Sequence, residues 1–294
     1  MNETLITICK RNHIVIDKIY YYPNYLIIES TNKKYLFEKV SEDILSFLRE
    51  IDYPFLLDSI DTYDSFSLFP YYEDLHDKCE KGKKMMEALS LLQQKTLLKI
   101  ELLEDEKKDT YQMILARIEN EMNYYLDLQK QIEEEEFFPR VDYYYLLLNI
   151  SMIYQILFLA RDKLDSWFSQ DSILFKGYCL KDVSFSNFRF GEEEYFIDYR
   201  DSSFDFCVYQ LALFYQKNYL ESSMRDLFMI YEKNIPLSSS EWDLLYSLIC
   251  IPKRIKFLEN TYQNTVTIQK TLEYIDLTFQ FVSEKDKENQ ETNK

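Results

Sequence analysis

The change of hydrophobic pattern along the chain is the feature that most constrains its fold. Up to about residue 72, short runs rich in Ile, Tyr, Val and Phe alternate with turn signals, which predicts strands. The runs are LITIC, HIVIDKIYYY, NYLIIES, KYLFEKV, PFLLDSI and DSFSLFPYY. From about residue 78, apolar residues recur at helical spacing, as in Ile114, Ile118 and Met122. The sequence therefore predicts an α+β protein.

The pattern also predicts how the chain is divided. Residues 1–73 form a small β-rich part, in which the strands make one antiparallel sheet with the helix of SEDILSFLRE packed on it. Residues 74–284 form a large helical part, interrupted by a hairpin-like segment at 178–200. The last segment, 285–294, is charged and has no hydrophobic residue, so it is expected to be disordered.

Charge and composition exclude several classes of function. A formal net charge of −17 argues against an extended nucleic-acid surface, which needs a basic field. The longest apolar run, LLLNISMIYQILFLA, is interrupted by polar residues and is shorter than the roughly 20 residues of a membrane span. MNETLITICKRN lacks the features of a secretion signal. Five scattered cysteines and two histidines make a zinc site improbable, and reduced thiols in the cytoplasm are the simpler interpretation.

The segment LKDVSFSNFRFGEEEYFIDYR carries the polar residues of most interest. Asp182 is followed five positions later by Asn187, and Asp198 ends the hydrophobic run of YFID. Together with the strand-then-helix order, this pattern resembles the aminoglycoside and choline phosphotransferase branch of the protein-kinase-like fold. Within that branch it is most similar to the spore-coat-associated kinase-like proteins.

The resemblance implies a two-lobed kinase-like fold and a phosphoryl-transfer site. Asp182 would be the catalytic residue, orienting or deprotonating an acceptor hydroxyl. Asn187 and Asp198 would supply hard oxygen ligands to Mg²⁺ that bridges the phosphates of ATP. We expect the three side chains to converge on one cleft between the lobes.

The resemblance also implies residues that bind the nucleotide. Lys39 stands where the family has a phosphate-contacting lysine, with Glu42 or Glu50 as its partner. Tyr71 and Tyr72 follow the strand and hinge where an adenine would sit. Each has an ordinary alternative, because Lys39 can be a solvated strand lysine and the tyrosines can be packing residues.

Two further segments carry the resemblance with substitutions. DFCVYQLA resembles the family's Asp-Pro-x-x-Asp-Leu-Ala, with Phe206 for the proline and Gln210 for the second aspartate. Its Asp205 is expected to brace the catalytic loop by hydrogen bonds. ALSLLQQKT resembles the helix that ends in Leu-x-x-Leu-His, with Gln93 or Gln94 in place of the histidine.

Other departures bear on catalysis. The family usually has a glycine-containing turn over the phosphates, but all three glycines of this chain lie beyond residue 81. Tyr20, Tyr21 and Tyr22 near that turn are expected to fill the space. The family's His-Gly before the catalytic aspartate is replaced by Leu180 and Lys181.

These departures favour a divergent, cytoplasmic kinase-like protein whose catalysis is weak or absent and whose fold serves in binding or assembly, for instance on a spore coat. The retained motif favours the alternative, an active phosphotransferase that uses ATP and Mg²⁺ on a hydroxyl of a small molecule. The expected partner is a small-molecule acceptor or a protein in an assembly, with neither nucleic acid nor membrane involved.

Overall fold

The computed structural model describes residues 2–31, 33–40, 42–75, 77–134, 140–171 and 173–292. The helices are α1 (Asn2–Arg11), α2 (Glu42–Glu50), α3 (Lys78–Lys95), α4 (Glu104–Glu134), α5 (Val141–Ser169), α6 (Cys207–Asn218), α7 (Met224–Asn234), α8 (Ser239–Ile249) and α9 (Thr261–Thr292). The strands are β1 (Lys18–Tyr21), β2 (Tyr25–Ser30), β3 (Lys33–Lys39), β4 (Asp61–Tyr63), β5 (Phe66–Pro70), β6 (Leu98–Glu101), β7 (Ile173–Cys179), β8 (Phe188–Phe190), β9 (Glu194–Phe196) and β10 (Ser203–Phe206).

The N-terminal strands form one five-stranded antiparallel sheet in the order β1-β2-β3-β5-β4, which confirms the predicted sheet. In the central strand β3, Phe37 pairs with Leu26 of β2 and with Leu68 of β5. All three side chains are buried. Helix α2 lies between β3 and β4 in the chain, as predicted, and buries Leu45 and Leu48.

The prediction of a strand at LITIC was wrong, because these residues belong to helix α1. Leu5, Ile8 and Cys9 follow one another at helical spacing and pack in one cluster with Phe37 and Leu68 of the sheet. A five-residue apolar run fits a buried strand or one face of a helix equally well. Tertiary packing decided between them.

The strand predicted at PFLLDSI was also wrong, because residues 54–60 are irregular and pairing begins after them at β4. The ring of Phe55 is buried and lies 5.9 Å from the ring of Tyr53. Burial of these aromatic side chains therefore explains the apolar run without a strand.

The chain separates into two compact units, each built from several segments, and the predicted boundary near residue 73 stays a prediction. The first unit contains Met1–Leu98, Phe175–Gln210 and Leu220–Pro236, and the second contains Lys99–Leu174, Leu211–Tyr219 and Leu237–Lys294. In the first unit, α3 packs against α7 and β8, so residues after 73 are part of the body that holds the sheet.

The second unit is helical, and its centre is α5, which packs against α4, α8 and α9. Trp167 and Leu164 of α5 are fully buried. Helix α8 begins with a capping box in which Ser238 and Glu241 satisfy each other's backbone N–H groups. The sequence PLSSSE predicted this start.

Helix α5 is longer than the apolar run suggested. At 29 residues it is the one described helix that is long and apolar enough to cross a membrane by length and composition alone, with 33% of its apolar window buried. The core helix of a soluble protein passes the same test, so the absence of a membrane stays a prediction.

Helix α9 continues to Thr292, whereas the sequence predicts a disordered tail at 285–294. The segment SEKDKENQET is rich in Glu and Lys, which have high helix propensity and extend a helix already started by packed residues. Among those packed residues, Ile275, Phe281 and Val282 are buried.

Candidate functional site

The segment that carries the kinase-like motif lies within the first compact unit. It follows β7, and its loop leads through a 3-10 turn at Phe185–Asn187 into the β8–β9 hairpin. Asp182 is half-buried in this loop, and its Oδ1 accepts a hydrogen bond from the backbone N–H of Ser184 at 3.2 Å. This local bond fixes the conformation of the loop at Asp182, and the catalytic role of Asp182 stays a prediction.

The hairpin brings Asn187 and Asp198 to the same end. Phe188 pairs with Phe196, and the N–H of Ile197 donates to the carbonyl of Asn187 at 2.8 Å, so Asp198 follows directly. Asn187 and Asp198 are each 6% exposed. Among the described residues, the buried Nδ2 of Asn187 has no hydrogen-bond partner. Convergence of the two side chains on one ion stays a prediction.

The carboxylate of Asp198 is already engaged by protein groups. Arg200 donates from Nε to Oδ1 at 2.6 Å and from a terminal nitrogen to Oδ2 at 3.0 Å, a bidentate ion pair. Asn24 donates from Nδ2 to Oδ2 at 2.7 Å. Asp198 has φ +67°, a left-handed conformation that aspartate tolerates better than most residues. Both carboxylate oxygens therefore have cationic or amide donors.

A buried carboxyl group, Glu38, lies against the same position. It is 2% exposed, and its Oε2 accepts a hydrogen bond from the backbone N–H of Asp198 at 2.6 Å. Burial raises the pKa of Glu38 to about 8, and the negative charge of Asp198 also raises this pKa. The hydrogen bond from the backbone N–H of Asp198 and the positive charge of Arg200 lower it, but by less. Glu38 is therefore mostly protonated at neutral pH.

Lys39 is placed on the other face of β3. Side chains alternate along a strand, so Lys39 shares the face of Phe37, which packs with α1, whereas Glu38 faces Asp198. Lys39 is exposed, and within the described part of the chain it forms no ion pair. Its role in phosphate binding stays a prediction.

Neither acidic residue that was expected to pair with Lys39 does so among the described residues. Glu42 instead binds Arg49 on its own helix at 2.9 Å. Glu50 ends the same helix and is exposed.

The tyrosines expected near an adenine face other side chains. The guanidinium carbon of Arg189 lies 5.4 Å from the ring centroid of Tyr71, and Arg189 donates to the hydroxyl of Tyr25 at 3.2 Å. The backbone N–H of Tyr72 donates to the hydroxyl of Tyr195 at 3.2 Å. These contacts fit the alternative that Tyr71 and Tyr72 are packing residues, and nucleotide binding by them stays a prediction.

The tyrosines after β1 also pack against neighbours. The ring of Tyr22 stacks on that of Tyr25 with centroids 4.7 Å apart. The hydroxyl of Tyr20 donates to Glu29 at 2.9 Å, while Tyr21 is 68% exposed. The turn that would cover the phosphates therefore carries aromatic rings instead of a free glycine backbone.

A buried neutral network supports the start of the loop that holds Asp182. Gln93 donates to Oε1 of Gln210 at 2.7 Å, and Gln210 donates to the carbonyl of Leu180 at 2.5 Å. The hydroxyl of Tyr231 donates to Oε1 of Gln93 at 2.6 Å. Gln93 and Gln210 thus hydrogen-bond to each other.

The expectation that Asp205 braces the catalytic loop was wrong for its side chain. Asp205 is exposed, and its carboxylate accepts a hydrogen bond from the adjacent N–H of Phe206 at 2.7 Å. Gln210 binds the loop in its place. The sequence did not decide whether Gln93 or Gln94 takes the position at the end of α3. Gln93 belongs to the buried network, whereas Gln94 is exposed and donates to the carbonyl of Asn234.

As arranged, these side chains do not fit a bridging Mg²⁺. A hard cation needs several free oxygens, but both oxygens of Asp198 bind nitrogen donors and Glu38 is mostly protonated. Within the described ranges, no group of three or more His, Cys, Asp or Glu residues could hold a metal ion. A cation at Asp198 would have to displace Arg200.

Sequence reasoning missed Glu38, Arg200, Asn24 and Arg189. Strand alternation was a usable signal for Glu38, because it separates this residue from Lys39. Arg200, two positions after Asp198, was close enough to consider. Asn24 lies 174 positions from Asp198, and no local pattern signals that contact.

Comparison with known proteins supports the fold. No protein-family model matches the chain, and no curated protein matches it. The AMP-bound complex of a spectinomycin phosphotransferase matches it with a TM-score of 0.58 at 11% identity, covering 94% of this chain and 98% of that chain. Choline kinase from Streptococcus pneumoniae matches with a lower TM-score of 0.45 at 14% identity, covering 94% of this chain and 99% of that chain. A microcompartment-associated aminopropanol kinase matches with a TM-score of 0.47 at 10% identity, covering 95% of this chain and 98% of that chain. The chain therefore has the predicted α+β, protein-kinase-like fold, which it shares with the spectinomycin phosphotransferase.

Proposed function

We propose that this chain is a divergent kinase-like protein of the aminoglycoside and choline phosphotransferase type in which phosphoryl transfer is weak or absent. The fold supports the kinase-like part. The observation that carries the loss of activity is the state of Asp198, whose two oxygens bind Arg200 and Asn24 while the protonated Glu38 lies beside it.

The energetic argument concerns Mg²⁺. To bind Asp198, the ion must break charge-assisted hydrogen bonds, each of which contributes about 1.5–3 kcal/mol. Losing two of them costs about 3 kcal/mol or more, equal to roughly a hundredfold weaker binding. Phosphoryl transfer depends on metal ions that offset charge on the phosphates, so weak metal binding slows the reaction.

The nucleotide side supports the same proposal. The tyrosine rings and the guanidinium of Arg189 that would face a base contact one another instead. No glycine turn supplies backbone N–H groups to the phosphates. Removing a single preorganised donor of this kind typically lowers a rate by about 10²–10³.

The role left to such a protein is binding, of a small-molecule acceptor or of a protein in an assembly. The resemblance found in the sequence suggests a spore coat as that assembly. Both parts of this role rest on the sequence.

An ATP-consumption assay with amino alcohols, sugars and aminoglycosides tests the proposal, with Asp182→Ala as the matched control. We expect no consumption above that of the control. Melting with ATP plus Mg²⁺, compared with either alone, should show little stabilisation, because a ligand that binds only the native state raises the melting temperature.

Robust turnover that disappears in Asp182→Ala would overturn the proposal and support an active phosphotransferase. Turnover that is unchanged in the control would indicate a contaminating enzyme.

A further inference from the structure

The second compact unit contains a pocket that the kinase-like motif does not involve. Its volume is about 330 Å³, and it is lined by side chains from the end of α6, the segment after α8 and the first half of α9. Pockets that bind small molecules begin near this size. None of its lining residues belongs to the unit that holds Asp182.

The charge of the pocket is positive in a strongly acidic chain. Lys253, Arg254 and Lys270 line it, and no carboxylate does, although the net charge of the protein is −17. Arg254 is compensated by a bidentate ion pair with Glu121, with N–O distances of 3.0 and 2.9 Å. Lys253 and Lys270 are exposed, and among the described residues neither forms an ion pair, even though Glu273 lies one turn from Lys270 on α9. Two ammonium groups are thus left without a carboxylate.

Two aromatic side chains, Tyr219 and Tyr274, form part of the pocket lining. The rings of Tyr219 and Tyr274 meet edge to face with centroids 4.9 Å apart. The hydroxyl of Tyr274 donates to the carbonyl of Ile249, which holds the ring in place. Gln216 donates one amide hydrogen to the carbonyl of Leu248 at 3.2 Å, so its second amide hydrogen can serve a ligand.

We propose that this pocket binds a small organic anion, with its planar apolar body against Tyr219 and Tyr274 and its carboxylate or phosphate group on Lys253 and Lys270. Rings of this kind bury apolar surface, and hydrogen bonds between ammonium and oxyanion are about twice as strong as neutral ones. The proposal is independent of the proposed function, because it concerns binding in the other unit.

Calorimetric titration of the full chain tests the pocket at constant ionic strength. Phenyl phosphate and benzoate are the probes, inorganic phosphate supplies the charge alone, and benzyl alcohol supplies the ring alone. We expect at least one of the two probes to bind about tenfold more tightly than phosphate or benzyl alcohol, and the tighter probe identifies the head group. If neither probe exceeds both controls, the proposal is wrong.

Variants assign the binding to this site. Lys253→Gln and Lys270→Gln should each weaken the tighter probe about tenfold, the loss expected for one hydrogen bond to a charged group. Lys256→Gln, an exposed lysine of the same segment that does not line the pocket, should bind as the wild type does. Unchanged affinity in both pocket variants, or an equal loss in Lys256→Gln, would overturn the proposal. Melting without ligand checks that all three variants fold.

Discussion

Glu38 and Asp198 are two buried carboxyl groups side by side, and the half-buried Arg200 pairs with Asp198. Asp198 and Arg200 compensate each other, so an ionised Glu38 would add an unpaired negative charge away from water. Burial raises the pKa of Glu38 to about 8 and thereby keeps it mostly neutral. The proton on Glu38 is therefore part of the folded structure at neutral pH.

Replacing Glu38 should change how stability depends on pH. The folded pKa of about 8 exceeds the ordinary value of 4.5, so the folded state holds this proton more tightly than the unfolded state. The resulting stabilisation is complete below pH 4.5 and is lost as the pH rises through about 8. The free energy of unfolding of the wild type should thus fall relative to Glu38→Gln over this range, by on the order of a few kcal/mol.

Urea unfolding at a series of pH values, in metal-free buffer, measures this difference. Glu42→Gln, at an exposed carboxylate of α2, is the control. Its free energy of unfolding should change with pH as that of the wild type does. If the free energy of unfolding of Glu38→Gln also changes with pH as that of the wild type does, Glu38 is ionised in the folded state at neutral pH.

Removing Arg200 should make the carboxylate of Asp198 available to a metal ion. In Arg200→Ala the carboxylate of Asp198 loses its bidentate partner, so we expect Mg²⁺ or Mn²⁺ to bind at least about tenfold more tightly than in the wild type. Titration followed by manganese electron paramagnetic resonance measures the free ion. Arg49→Ala, which breaks the ion pair with Glu42, is the matched control and should bind as the wild type does. Equal affinity in Arg200→Ala and the wild type would mean that Arg200 does not limit access to Asp198.

At the scale of elements, α3, α6 and α7 meet through the network of Gln93, Gln210 and Tyr231. The network is neutral and its members are buried, so each hydrogen bond lost leaves a polar group without water. It therefore links the loop that holds Asp182 to three helices, α3, α6 and α7, without any ion pair.

Gln210→Leu should destabilise the protein by about 3 kcal/mol, because it leaves the amide of Gln93 and the carbonyl of Leu180 unsatisfied. Gln94→Leu, at an exposed glutamine with one hydrogen bond, should cost about 1 kcal/mol or less. Denaturant unfolding gives both values. A loss in Gln210→Leu no larger than in Gln94→Leu would contradict the network.

The sequence predicted these elements unevenly, for physical reasons. Strands β2, β3 and β5 carry long β-branched and aromatic runs between turn signals, and α4 repeats apolar residues every four positions, so local pattern was sufficient. LITIC was too short to separate strand from helix. In the candidate site, the motif spacing gave Asp182, Asn187 and Asp198, but the groups that bind Asp198 come partly from a distant segment. Such contacts depend on tertiary packing.

At the scale of the whole molecule, the two compact units are assembled from interleaved segments of the chain. The chain passes from one unit to the other several times, at 98–99, 174–175, 210–211, 219–220 and 236–237. Neither unit is therefore a continuous domain that could be excised as one piece. Local sequence patterns could not reveal these passages, because they do not show which segments pack together.

The rates at which the cysteine thiols are labelled can report when each compact unit opens. Cys9, Cys179 and Cys207 are buried in the first unit, Cys250 is buried in the second, and Cys79 is exposed. A thiol reagent should modify Cys79 at once and reach each of the others only when its surroundings open. If the units open separately, pulse labelling in mild urea followed by mass spectrometry should show Cys250 labelled at a different rate from the buried thiols of the first unit. The variant Cys79→Ser removes the immediate signal of the exposed thiol. One shared rate for all four would mean that the chain opens as a single cooperative body.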